Sequence, residues 1–98
     1  MGVAPYASCK AGLEALTRYM AREFGPRQIR ANAVSPGAIR TELAGGLTPE
    51  LEALVAAQTA LGRIGEPDDV GRAIASLLGD DMRWVNAQTI EVTGGYQV

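Results

Sequence analysis

Ile29-Arg30-Ala31-Asn32-Ala33-Val34-Ser35-Pro36-Gly37 is a short, mostly apolar run that ends abruptly on proline and glycine. Ile29, Ala31 and Ala33 alternate onto one side and Val34 onto the other, so residues 28–35 read as a buried strand of a parallel sheet. In doubly wound folds, ligands bind beyond the carboxyl ends of such strands, and Pro36-Gly37 stands at that position. Proline fixes φ and glycine carries no Cβ, so backbone amides there can approach a planar ligand. The same pair of residues also describes a plain turn.

Upstream, Pro5 suits a first helical turn and Gly25-Pro26 ends the run, which predicts a helix from Pro5 to Phe24. Cys9, Leu13, Leu16, Met20 and Phe24 recur at three- and four-residue steps and are expected to form its buried stripe. Ala7, Ala11 and Ala15 form a second stripe of small side chains, which suits close approach of another helix and equally reflects alanine's high helix propensity. Tyr6 and Lys10, four residues apart in Tyr6-Ala7-Ser8-Cys9-Lys10, share a face of this helix. An ammonium near a phenol favours the phenolate, so the two outline a general acid/base pair. Taken alone, the spacing is also that of a solvated surface pair.

Downstream, Glu42 to Leu47 lacks periodicity, holds Gly45-Gly46 and reads as a mobile loop. Thr48-Pro49-Glu50 supplies an N-cap, a first-turn proline and a first-turn acid, and Leu51, Leu54, Val55 and Leu61 give the next helix its apolar face. Pro67-Asp68-Asp69 opens another helix, with Val70, Ile74, Leu77 and Leu78 inward and Gly79-Asp80-Asp81 as its stop. Gln88 to Val92 is the second strand, and Thr93-Gly94-Gly95 turns the chain at its end. The order is helix, strand, helix, helix, strand, and a crossover this long between strands implies parallel neighbours.

Composition bounds the function classes. The 98 residues form one small unit with 47% hydrophobic and 20% charged residues, ordinary globular values. Nine basic against eleven acidic residues give a net charge of −2 with no basic cluster, so no nucleic-acid partner is expected. There is no histidine and no acidic cluster with metal spacing, so no metal is expected. No apolar run is long enough to span a bilayer, so no membrane partner is expected and cytoplasmic localisation is the default. The single cysteine, Cys9, cannot form an intramolecular disulfide. It reads either as a small packing residue or as a thiol activated by Lys10 and the nearby helix N-terminus.

Four stretches in order carry a family resemblance: Tyr6-Ala7-Ser8-Cys9-Lys10-Ala11, Ile29 through Thr41, Gly62-Arg63-Ile64-Gly65-Glu66-Pro67, and Thr93-Gly94-Gly95-Tyr96. Together they resemble the C-terminal part of short-chain dehydrogenases/reductases, most nearly the 3-oxoacyl-(acyl carrier protein) reductase-like branch. The resemblance implies an α/β fold, the C-terminal fragment of a doubly wound Rossmann-type parallel sheet, with residues 1–98 a single partial domain. It implies hydride transfer between a nicotinamide cofactor, NAD or NADP, and a carbonyl or alcohol. Tyr6 would exchange the substrate proton, and Lys10 would assist it and hold the nicotinamide ribose. Pro36, Gly37 and Ile39 would line the nicotinamide, with the Ile39 backbone meeting its carboxamide and the Thr41 hydroxyl meeting the carboxamide or the pyrophosphate. Residues 42–61 would fall in the family's substrate lid.

The family's glycine-rich dinucleotide loop has no counterpart here, and its catalytic serine would stand further upstream than the five residues that precede Tyr6. Asn32, in the strand, is not the family's catalytic asparagine, which stands further upstream still. Asn86-Ala87 replaces the family's usual Thr-Gly. The chain is therefore expected to act with a missing N-terminal half, and to be inactive and without tight cofactor binding when alone. The alternative is a stand-alone non-catalytic module that oligomerises or scaffolds. A homo-oligomer is expected where strand edges and helix faces are left uncovered.

Overall fold

Residues 3–42 and 46–97 are described by the computed structural model. Pro5 lies in the first turn of α1, Ala4–Phe24, and the Ala7 N–H donates to the Val3 carbonyl at 2.8 Å. A single 3-10 turn, Gly25–Arg27, follows, and Gln28 leaves it in the left-handed region at φ 60°. This exit delays the strand, because β1 is Ala33–Pro36 rather than residues 28–35.

The intervening residues are held mainly by side chains, with one backbone bond from the Ala87 N–H to the Ala31 carbonyl at 2.9 Å. The Arg30 guanidinium donates to the carbonyls of Leu77 (2.7 Å) and Val85 (3.0 Å), and the Ala31 N–H donates to Asn86 Oδ1 at 2.9 Å. The Asn32 amide nitrogen donates to the Val85 carbonyl at 3.0 Å, and its Oδ1 accepts the Gln88 N–H at 3.0 Å. Backbone pairing takes over where the Ala33 N–H meets the Gln88 carbonyl at 2.8 Å. The second strand, β2, is Thr89–Val92, one residue shorter than expected. It runs parallel to β1 in the register Ala33 to Thr89, Val34 to Ile90, Ser35 to Glu91 and Pro36 to Val92.

The crossover between the strands contains α2, Pro49–Ala57, and α3, Pro67–Leu78, so the expected order of helix, strand, helix, helix, strand is the observed one. Thr48 caps α2 by accepting the Leu51 N–H on its hydroxyl at 3.2 Å. At the start of α3 the Asp69 carboxylate accepts the Glu66 N–H at 2.8 Å, and after its end the Gly79 N–H meets the Ser76 carbonyl at 3.1 Å. Of the loop expected over 42–47, residues 43–45 lie outside the described residues. The chain is thus an α/β unit with a two-stranded parallel sheet, the pattern of a doubly wound fold in part.

After β2 the chain folds back. Gly94 and Gly95, at φ 64° and 83°, let Gly94, Gly95 and Gln97 bond to Leu61, Ala60 and Gln58 at 2.8–3.0 Å. A Cβ on Gly95 would stand 2.6 Å from the Ala60 Cβ, so this return needs glycine for both its φ and its proximity.

α1 packs against β1 and α3 against β2. Ala21 and Ile64 are buried, as are Thr17 and Thr59, whose hydroxyls donate to the carbonyls of Leu13 and Val55 at 2.8 and 2.7 Å. The stripe of Cys9, Leu13, Leu16, Met20 and Phe24 is not buried as expected: Phe24 is half-buried and the other four are exposed. The helix turns its Thr17–Ala21 line toward the rest of the described chain, and the larger apolar stripe points away. Leu51, Leu54, Leu61, Ile74 and Leu78 are exposed as well. No helix among the described residues is long and apolar enough to cross a membrane.

Candidate functional site

Two groups of residues singled out in the sequence fall on different elements. Tyr6 and Lys10 stand near the beginning of α1, one turn apart and both exposed, Tyr6 at 70%. Pro36, Gly37, Ile39 and Thr41 lie where β1 ends and the chain leaves the sheet. Among the described residues no hydrogen bond or ion pair joins Tyr6 or Lys10 to this loop.

The loop is built by close backbone approach. Pro36 is opposite Val92, and the Gly37 N–H donates to the Val92 carbonyl at 3.0 Å. A Cβ on Gly37 would lie 2.9 Å from the Thr93 Cα and 3.0 Å from its Cβ, so glycine lets the strand ends come together as they exit the sheet. Two residues later Ile39 forms an isolated parallel bridge with Gly65. The Gly65 N–H donates to the Ala38 carbonyl at 3.0 Å, and the Arg40 N–H donates to the Gly65 carbonyl at 2.8 Å. A parallel bridge of this kind uses the groups flanking Ile39, so Ile39's own N–H and C=O point away from Gly65. A Cβ on Gly65 would lie 2.5 Å from Ile39 Cδ1, the movable tip of that side chain, and 3.2 Å from the Ala38 carbonyl oxygen.

A cleft of about 200 Å³ is lined by Ala38, Ile39, Leu61, Gly65, Thr93 and Gly94, on the Gly65 side of the loop. On the face away from Gly65, Ile39 offers one donor and one acceptor, the set that a nicotinamide carboxamide would pair with. Thr41 is exposed.

Ion pairs brace the loop from the outside. Arg40 binds Glu52 of α2 through two bonds of 2.6 and 2.9 Å, and its Nε reaches Glu66 Oε1 at 2.9 Å. Arg40 holds the Glu52 carboxyl below the ordinary range, and the two acids raise the guanidinium's own value. Arg63 binds Asp69 at 2.8 and 3.1 Å, and with the Glu66 N–H it brings Asp69 down to about 2. Sequence reasoning quoted Arg40, Gly65 and Glu66 without giving them a task. The glycine between Ile64 and Glu66 was the available signal, since an isolated glycine often marks close backbone approach.

Asn32 serves the sheet rather than the site, through its bonds to Val85 and Gln88. Cys9 is exposed, which removes its reading as a packing residue within this chain. Among the described residues, no group of three His, Cys, Asp or Glu side chains could hold a metal ion.

Residues 1–97 match the family described as Enoyl-(Acyl carrier protein) reductase. The chain is 44% identical over 96 residues to the NADPH-dependent aldehyde reductase-like protein, chloroplastic, of Arabidopsis thaliana, covering 97% of this chain and 36% of that protein. It is 38% identical over 94 residues to the 3-oxoacyl-[acyl-carrier-protein] reductase of Pseudomonas aeruginosa, covering 96% and 38%. Its fold superposes with a TM-score of 0.80 and 32% identity on a crystal structure of a 3-oxoacyl-[acyl-carrier protein] reductase with bound NAD from Brucella melitensis, covering 97% and 34%. The chain therefore spans little more than a third of the length of these relatives.

Proposed function

Because the chain belongs to the short-chain dehydrogenase/reductase family, in its 3-oxoacyl-(acyl carrier protein) reductase-like branch, we propose that it carries the proton-transfer pair and one wall of the nicotinamide site of an NAD(P)-dependent oxidoreductase. The nicotinamide, when bound, supplies or accepts the hydride. Tyr6 exchanges the proton of the substrate oxygen, and Lys10, one turn away on α1, assists it and binds the ribose hydroxyls. Pro36 and Gly37 shape the exit from β1, Ile39 presents its N–H and C=O to the carboxamide, and Thr41 adds a hydroxyl. The observation that carries this reading is the Ile39–Gly65 bridge, which directs Ile39's own backbone groups away from Gly65 and leaves them out of that bridge.

One relative's crystal structure holds NAD and another relative is named NADPH-dependent, which supports a nicotinamide cofactor of either kind. The pyrophosphate, the adenosine and the carbonyl-polarising serine need the glycine-rich portion of the family fold, so turnover requires that portion as well. The test is a chimera in which residues 1–97 replace the corresponding segment of the Pseudomonas aeruginosa reductase, assayed for NAD(P)H oxidation with a panel of 3-oxoacyl thioesters. Turnover is expected. A folded chimera that binds cofactor and reduces no member of the panel overturns the reading.

A second reading, a non-catalytic module that oligomerises or scaffolds, is favoured by the outward-facing apolar side chains of α1 and by Trp84, which is 95% exposed. Dependence of the chimera's turnover on Tyr6 separates the two.

A further inference from the structure

Arg40 lies between Ile39 and Thr41, yet its guanidinium is committed to two other elements. Its terminal nitrogens make a two-bond fork to Glu52, twelve residues on in α2, and its Nε bonds to Glu66, twenty-six residues on at the N-cap of α3. Isolated surface ion pairs do little, but a bidentate arginine inside a three-residue network is the arrangement in which they matter. Its own N–H also donates to the Gly65 carbonyl at 2.8 Å, so backbone and side chain of one residue close the Ile39–Gly65 bridge from both directions. Glu66 is steadied in turn, since its N–H is bound by Asp69, which Arg63 grips.

We propose that Arg40 is a positioning residue for the cofactor: by tying the end of the β1 loop to α2 and to the start of α3, it fixes the orientation in which Ile39 presents its backbone to the nicotinamide. This inference rests on the reading of Pro36 to Thr41 as the nicotinamide-facing loop. Lysine cannot replace the arginine, because a point charge cannot fork to one carboxylate while holding a second. Neutralising Glu52 alone leaves the Glu66 arm and gives a smaller effect.

Two measurements test it. In the 98-residue chain, amide hydrogen exchange is followed for Arg40 and Gly65, with Ala33 in the β1–β2 ladder as internal reference. Arg40→Ala is expected to speed exchange at Arg40 and Gly65 about tenfold while leaving Ala33 unchanged, with Arg40→Lys and Glu52→Gln in between. Equal acceleration at Ala33, or none anywhere, would show that Arg40 does not hold the loop. In the chimera, Arg40→Ala is expected to raise KM for the nicotinamide cofactor about tenfold with kcat changed less, and added salt should narrow the difference from the parent. An active parent whose Arg40→Ala variant keeps the parent's cofactor KM overturns the positioning role alone. A parent chimera that binds cofactor and shows no turnover overturns the functional reading, and the inference falls with it.

Discussion

Gly37 and Thr93 meet so closely at the exits of β1 and β2 that a Cβ on the glycine would stand 2.9 Å from the Thr93 Cα. The obstruction is backbone and Cβ, which cannot swing aside as the tip of a long side chain could. Gly37→Ala is therefore expected to destabilise the chain by about 1–3 kcal/mol, the usual cost of overpacking a fitted contact. Urea unfolding followed by circular dichroism measures it, and an unchanged midpoint would mean that the strand ends can part freely.

The acid/base assignment divides the labour of two residues on one turn of α1. In the chimera, Tyr6→Phe is expected to lower kcat by about 10²–10⁴-fold with little change in cofactor KM, since the lost group moves a proton. Lys10→Ala should lower kcat and raise cofactor KM together, because it assists the phenol and also holds the ribose. Near-normal turnover in Tyr6→Phe would remove the assignment.

Ala87 adopts φ 61° in the link before β2, where its N–H meets the Ala31 carbonyl at 2.9 Å and Asn86 Oδ1 at 3.0 Å. A left-handed conformation costs a non-glycine residue roughly 1–2 kcal/mol, of which glycine's greater freedom in the unfolded chain returns part. Ala87→Gly should stabilise the chain by about 0.5–1 kcal/mol in the same urea experiment, and a destabilisation would show that the alanine methyl is packed to advantage.

Asp69 gives a pH signature. Its carboxyl falls from an ordinary 3.8 to about 2 because Arg63 and the Glu66 N–H favour the charged form. A group depressed on folding stabilises the fold above its unfolded value and loses that effect as pH falls through its folded value. The stability difference between the parent and Asp69→Asn should thus be full near pH 5 and vanish between about pH 4 and 2. A difference that stays constant over this window would show that the carboxylate's charge is not what matters.

These contacts mark where local sequence is enough and where it is not. Both ends of α3 were legible, because Pro67-Asp68-Asp69 and Gly79 are start and stop signals that act within a turn. The start of β1 was not, because residues 29–32 look strand-like in isolation while Arg30, Asn32 and Asn86 route their bonds across more than forty residues of chain. The Pro36 to Thr41 stretch was legible as the exit from β1, whereas its bracing by Glu52 and Glu66 depends on where α2 and α3 come to rest. The face that α1 would bury was misread for a related reason: periodicity finds an apolar stripe, but only the neighbours present decide which side is covered.

The uncovered side leads to the prediction of self-association. Leu13 and Leu16 are 57% and 53% exposed on one stripe of α1, and Leu78 is 77% exposed at the end of α3. β1 and β2 make the whole of the described sheet, so each strand also has an edge without a ladder partner. Apolar faces and strand edges left open together recruit further chain, and in a pure sample the chain at hand is another copy. Sedimentation at tens of micromolar is expected to show species heavier than the 10.3 kDa of one chain. Leu13→Glu with Leu16→Glu should shift the distribution toward monomer without loss of helical signal, because neither residue is needed inside the protomer. A single 10.3 kDa species for the unsubstituted chain would refute the prediction, and an unaltered assembly in the double variant would move the contact from α1 to the strand edges or the Trp84 side.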